Sequence, residues 1–134
     1  MLEWESTLRY LKDKLDAIRD KIEDAYQRMR QEPDYDVYPV ICDTTEGLNT
    51  IRDVIGDTIE NMKKKYGMSI MPKSEKLKLQ DLRYLRGKVS TARDIAKGIQ
   101  QDLLRGHLLN YAEFCELMRG LDSLSLFLTK AQKE

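Results

Sequence analysis

The sequence has few of the residues from which most catalytic and metal sites are built. Its 134 residues include one His, two Cys and three Pro. A zinc site needs about four ligands, and no pair of Cys or His residues here has zinc-site spacing. His107, Cys42 and Cys115 do map to the same predicted end of the fold, where two free thiols are expected. We therefore expect no metal, no cofactor and no enzymatic activity.

Long hydrophobic runs are also missing. No apolar run approaches the ~18 residues of a membrane span, and no secretory signal pattern opens the chain. Hydrophobic residues make up 41% of the sequence, which is too many for a disordered chain. We expect a cytoplasmic protein that folds as one domain over residues 1–134 and has no membrane partner.

An excess of one charge is absent as well, because 23 basic side chains balance 23 acidic ones. The balance hides three unlike blocks. Residues 1–62 carry eight basic and fifteen acidic side chains, residues 63–97 carry eleven and three, and residues 98–134 carry four and five. Neutrality predicts no general attraction to nucleic acid or anionic membranes. The block pattern predicts either pairing between segments or a local docking surface.

Four segments have apolar residues at alternating spacings of four and three. This heptad period places each apolar set on one stripe of a helix. The predicted helices span about residues 2–31, 37–66, 75–105 and 111–132. Short connections favour antiparallel neighbours, so we predict an all-α, up-down-up-down four-helix bundle with a shorter fourth helix. The alternative is three long helices that complete a bundle with a second copy.

Capping residues mark the ends of these helices. The predicted N-caps are Asp36, Ser74 and Asn110, and the predicted terminating glycines are Gly67 and Gly106. Glu113 follows Asn110 at the spacing of a capping box.

The loop over residues 67–73 contains Met68, Ile70 and Met71. We expect this loop to fold over Trp4 as a lid at the end where the fourth helix is short. The alternative is a Met-rich binding patch, since Met adapts to varied partners.

Two glycines, Gly47 and Gly120, flank the apolar stripes of the second and fourth helices. We expect them to permit a close approach of neighbouring helices. Local flexibility is the competing interpretation.

Five cations form a predicted stripe about 30 Å long on the third helix. The stripe consists of Lys76, Arg83, Arg86, Arg93 and Lys97. It is either a solvated face that pairs with acidic residues of a neighbouring helix, a docking surface for a protein, or a surface for nucleic-acid phosphates.

The fourth helix is apolar beyond its core stripe. Met118, Leu126 and Phe127 are the predicted residues for self-association, as a homodimer, or for partner docking. The sequence therefore favours a non-enzymatic protein that acts through protein–protein interaction, as an adaptor, an inhibitor or a small phage or bacterial accessory protein. The alternative is a nucleic-acid-binding bundle that uses the basic stripe. A third interpretation is an all-α enzyme with a site at one bundle end.

Overall fold

The computed structural model describes residues 3–67 and 69–133, and the fold is all-α. Its helices are α1 (Glu3–Gln31), α2 (Tyr38–Tyr66), α3 (Lys73–Leu104) and α4 (Tyr111–Lys133). These bounds agree with the predicted ones to within two residues, although predicted residue 2 lies outside the described residues. At 23 residues α4 is the shortest helix, beside lengths of 29, 29 and 32 residues for α1, α2 and α3.

The helices pack antiparallel as a four-helix bundle, as predicted. α1 contacts α2 and α4, and α3 contacts the same two helices, so that each helix has two neighbours. The α2–α3 interface is the most extensive. A second copy is not needed to supply the fourth helix, because α4 fills that position within the same chain.

The core consists of the predicted apolar stripes, except near the end of α2, where Ile59 is buried and the predicted Thr58 and Met62 are half-buried. In α1 the buried residues recur at spacings of three and four: Leu8, Leu11, Leu15, Ile18, Ile22 and Ala25. Two stripe positions of α2 are Thr, and their hydroxyls donate to helix carbonyls. Thr44 bonds Val40 O and Thr58 bonds Val54 O, both at 2.8 Å. A buried hydroxyl with a partner avoids most of the cost of its desolvation, so the polar residues are tolerated there.

Of the three predicted N-caps Asn110 is confirmed, whereas the N-cap of α2 is Val37, one residue after the predicted Asp36. The Asp36 carboxylate accepts from the Tyr38 N–H at 3.1 Å, and the Asn110 side chain accepts from the Glu113 N–H at 3.2 Å. The prediction for Ser74 is wrong, because α3 begins one residue earlier, at Lys73.

The N-cap residue of α3 is Pro72 instead. Its extended backbone (ψ 151°) directs its carbonyl toward the first turn, where it accepts from the N–H groups of Glu75 and Lys76 at 3.0 Å each. A backbone carbonyl thus begins the helix without a side-chain cap.

Both predicted terminating glycines have positive φ, 53° at Gly67 and 83° at Gly106. After α3 the His107 N–H bonds Asp102 O and the Gly106 N–H bonds Leu103 O, both at 3.0 Å. This pair of bonds is a Schellman motif, which satisfies carbonyls at the helix end.

The loop after α2 does not form the predicted lid. Ile70 is 90% exposed, Met71 is half-buried, and Met68 lies outside the described residues. A tight turn, closed by the Ser69 N–H to Tyr66 O at 2.7 Å, directs the chain toward α3 instead of across α1. Trp4 is half-buried and is covered in part by Lys78, whose ammonium lies 5.5 Å from the ring centroid.

The two glycines beside the core stripes differ in their surroundings. A Cβ at Gly47 would lie 2.7 Å from Ile18 Cδ1, so this glycine permits the predicted close approach of α1 and α2. The same prediction is wrong for Gly120. Among the described residues, a Cβ added at Gly120 would meet no atom within 4 Å. The space beside Gly120 is a groove on the surface.

Gly47→Val is expected to lower the free energy of unfolding by about 1–3 kcal/mol, because the added methyl groups overpack Ile18. The matched control is Gly56→Val in the same helix, where an added Cβ meets no described atom within 4 Å. We expect the control to change stability by less than about 0.5 kcal/mol. Urea denaturation of both variants measures the difference. Equal effects would show that Gly47 is not a packing position.

Candidate functional site

A groove of about 300 Å³ lies between α3 and α4. Ala92 and Ile95 of α3 line it, together with Gly120 and Leu124 of α4. Ala92 has a single methyl group and Gly120 has no side chain, so neither residue fills the space between the two helices. The volume accommodates a few apolar side chains, at the lower limit of the range for small-molecule sites.

An aromatic pair closes one end of this α3–α4 groove. The rings of Tyr84 and Phe127 lie 4.9 Å apart between centroids and are tilted by 36°. This geometry is favourable for aromatic contacts. Tyr84 remains 51% exposed, and the Lys88 ammonium lies 5.6 Å from its ring centroid. The end of the groove therefore presents a fixed, partly exposed aromatic surface to solvent.

Charged side chains stand around the groove. Lys88 of α3 and Arg119 of α4 are exposed, and Glu116 of α4 is the exposed acid. None of the three makes an ion pair within the described part of the chain. The surroundings thus combine an apolar floor with charged groups that are free to contact another molecule.

The structure does not bring the three predicted α4 residues into one patch. Phe127 faces α3, whereas Met118 lines a shallow depression beside Asp20 and Tyr26 of α1. Leu126 is 57% exposed and lies between these two sides of the helix. Only Phe127 lines the α3–α4 groove.

The predicted basic stripe divides into two parts. Arg93 is half-buried, donates from Nε to the Asn49 side chain of α2 at 2.9 Å, and pairs with Asp94 at 3.1 Å. The other members are exposed and make no ion pair within residues 3–67 and 69–133: Lys76, Arg83, Arg86 and Lys97. Arg93 therefore supports the α2–α3 interface, and four cations remain available.

A polar network that the sequence analysis missed connects α1 and α4. The buried Ser125 hydroxyl donates to Asp16 Oδ1 at 2.7 Å and accepts from an Arg19 Nη at 3.0 Å. Lys12 binds the other Asp16 oxygen at 2.6 Å. The sequence contains one signal for this network. Ser125 lies four residues after Leu121 and three before Leu128, a spacing that places it on the core side of α4.

The network changes the ionisation of Asp16. Partial burial by itself would raise the pKa of this carboxyl. Hydrogen bonds from Lys12 and Ser125, with the charges of Lys12 and Arg19, outweigh the burial and lower the pKa below its ordinary value. Every charged member has a partner within the network. We therefore interpret the network as a structural contact that stabilises the packing of α1 against α4.

The cysteine end of the bundle contains a smaller polar cluster. The interaction with the neighbouring Cys42 thiol and partial burial raise the pKa of Tyr38 above its ordinary value. Cys42 and Cys115 are free, half-buried thiols, and His107 is exposed. Among the described residues, no group of three or more His, Cys, Asp or Glu side chains could hold a metal ion.

Comparison with known proteins adds no assignment, because no family model, curated protein or solved structure matches the chain. Over the residues that the structure describes, no helix is long and apolar enough to cross a membrane. The functional interpretation therefore depends on the surface features of the bundle.

Asp16→Asn is expected to lower the free energy of unfolding at pH 7 by about 1 kcal/mol, because the ionised carboxylate binds Lys12 and Ser125. A lowered folded-state pKa contributes stability above the unfolded pKa, near 4, and this stability disappears as the pH falls toward the folded value. The difference from the wild type should therefore shrink below about pH 4. Denaturant titrations across this pH range measure it.

The control for Asp16 is Asp24→Asn, which removes an exposed carboxylate paired with Arg28 on the same helix. We expect its effect at pH 7 to be below about 0.5 kcal/mol. A difference between wild type and Asp16→Asn that does not depend on pH would contradict the role assigned to the carboxylate.

Proposed function

We propose that the protein acts by binding another protein, and that the α3–α4 groove receives apolar side chains from a helix of that partner. The observation that carries the proposal is the open groove itself, with Ala92, Ile95 and Leu124 inside it and the Tyr84–Phe127 ring pair at one end. An amphipathic helix places anchors three and four residues apart in such a groove.

The size of the groove favours a helical segment over a small metabolite. A volume of about 300 Å³ accommodates two or three side chains, which is at the lower limit for a small-molecule site. Tyr84 at the end of the groove is 51% exposed, and Leu126, the residue before Phe127 in α4, is 57% exposed. Rigid aromatic residues at the centre of a contact are typical of binding hot spots.

The surrounding charges indicate the polarity of the partner. Lys88 and Arg119 outnumber Glu116 around the groove, so we expect acidic residues beside the apolar anchors of the partner helix. Complementary charges of this kind increase association rate and specificity more than they increase affinity.

Nucleic-acid binding remains the second prediction. The observation in its favour is a group of four exposed cations that make no ion pair among the described residues: Lys76, Arg83, Arg86 and Lys97. Because Arg93 is bound to Asn49 and Asp94, the stripe of available cations is interrupted between Arg86 and Lys97. Self-association through α4 also remains a prediction, with Leu126 as its most exposed member.

Gly120→Met is expected to reduce partner binding about tenfold or more, because the new side chain occupies the groove. The matched control is Gly56→Met on α2, which also replaces an uncrowded helical glycine outside the groove. The wild type, Gly120→Met and Gly56→Met each carry a photo-crosslinking residue in place of Ser123, beside the groove, and are expressed in the source cell. Mass spectrometry identifies the attached protein, and circular dichroism checks that both variants fold.

The proposal predicts one protein partner that is crosslinked in the wild type and in Gly56→Met and lost in Gly120→Met. Equal crosslinking in both variants would contradict it. Attachment mainly to a second copy of the chain would replace it with self-association.

A further inference from the structure

The end of the bundle where α2 finishes and α3 starts carries dense positive charge. Residues 63–78 contain six Lys and one Glu. That acid, Glu75, is already engaged by Lys78 at 3.0 Å and by the Tyr66 hydroxyl at 3.2 Å. Five exposed lysines of this segment make no ion pair among the described residues: Lys63, Lys64, Lys65, Lys73 and Lys76.

Two exposed aliphatic side chains lie among these lysines. Ile70 is 90% exposed in the turn that joins α2 to α3, and Leu77 is 52% exposed in the first turns of α3. One exposed aliphatic residue is ordinary on a protein surface. A side chain as exposed as Ile70 protrudes from its surroundings, and here it protrudes between lysines on both sides in the chain.

We propose that this end, the cationic tip, docks onto an anionic lipid bilayer. We define the cationic tip as these five lysines with Ile70 and Leu77. In the docked state the lysines lie against lipid phosphates and carboxylates, and Ile70 enters the boundary between headgroups and acyl chains. Such a contact needs no membrane-spanning helix, and it replaces the expectation of no membrane partner, which was drawn from the hydrophobic runs and the net charge of the whole chain.

The other charges at this end leave it positive. Glu3 and Glu5 of α1 lie at the same end, and Lys130 and Lys133 of α4 offset them. The remainder of residues 1–62 is acidic, so the sides of α1 and α2 are repelled by an anionic surface. The charge distribution therefore favours an orientation with the tip toward the bilayer.

A bilayer fits the tip better than nucleic acid or a folded partner does. A phosphate backbone would use the lysines but would leave Ile70 against polar groups. A folded protein would need a pocket matched to the protruding side chain. A fluid bilayer accepts a protruding aliphatic residue without such a match, and its anionic headgroups attract the lysines at the same time. The inference is independent of the α3–α4 groove.

The test is flotation with vesicles at about 0.1 M salt. We expect the full chain to float with phosphatidylcholine vesicles that contain about 30% phosphatidylserine, and not with pure phosphatidylcholine. Lys64→Glu with Lys73→Glu should lower the partition coefficient at least about 25-fold, since each lysine contributes about fivefold. Ile70→Asp should lower it about tenfold or more, because a charge replaces the inserted side chain.

Matched controls use exposed residues away from the tip. Arg86→Glu with Lys97→Glu makes the same change of charge in the middle of α3, and Leu126→Asp replaces an exposed aliphatic residue on α4. These variants should retain most of the binding. Equal losses in tip and control variants, or no flotation of the wild type, would overturn the proposal. Binding of the tip to duplex DNA in a gel shift, without flotation, would also overturn it and identify a nucleic-acid surface.

A second readout reports insertion directly. The chain has one Trp, so Trp4→Phe with Ile70→Trp places the only indole at the tip. We expect its emission to shift to the blue on anionic vesicles and to remain unchanged on neutral ones. An unchanged spectrum on vesicles that retain the protein would show that Ile70 does not insert.

Discussion

The structure depends on the burial of one apolar stripe from each helix. Removing these side chains from water is the dominant favourable contribution to folding, and it acts in all four helices at once. Where two stripes bring large residues together the interface is closed, and where Gly47 removes a side chain, α1 and α2 approach closely. Where Ala92 and Gly120 line the space between α3 and α4, no larger residue fills it, and the α3–α4 groove forms. The sizes of the side chains along the stripes thus determine both where helices approach closely and where a groove remains.

All of the helix–helix interfaces bury apolar side chains, but their polar contacts differ. The network of Asp16, Arg19 and Ser125 satisfies several charged and polar atoms between α1 and α4, so its geometry favours one register of the two helices. Arg93 and Asn49 make a comparable contact between α2 and α3. The α3–α4 interface has an aromatic contact, between Tyr84 and Phe127, beside a gap. Because of this difference we propose the groove at the α3–α4 interface, rather than a surface at another helix–helix interface, as the site that binds a partner.

The helices and their arrangement could be predicted because a stripe of apolar residues is local in sequence. Asn110 and Gly106 acted as predicted for the same reason, since a cap involves only neighbouring residues. Features that depend on the opposing helix could not be predicted. Gly47 and Gly120 look alike in sequence, and only the packing of α1 or α3 against them decides between a close approach and a groove. Ser125 and Arg93 acquired their roles from residues more than forty positions away.

The proposed function requires the α3–α4 groove to be an accessible apolar surface able to bind another molecule. Titration of isotope-labelled protein with indole, followed by amide chemical shifts, tests this requirement most directly because it needs no known partner. We predict saturable shifts concentrated at Tyr84, Ala92, Ile95 and Gly120, and their loss in Gly120→Met. Shifts that are scattered over the bundle, or that persist in this variant, would contradict it.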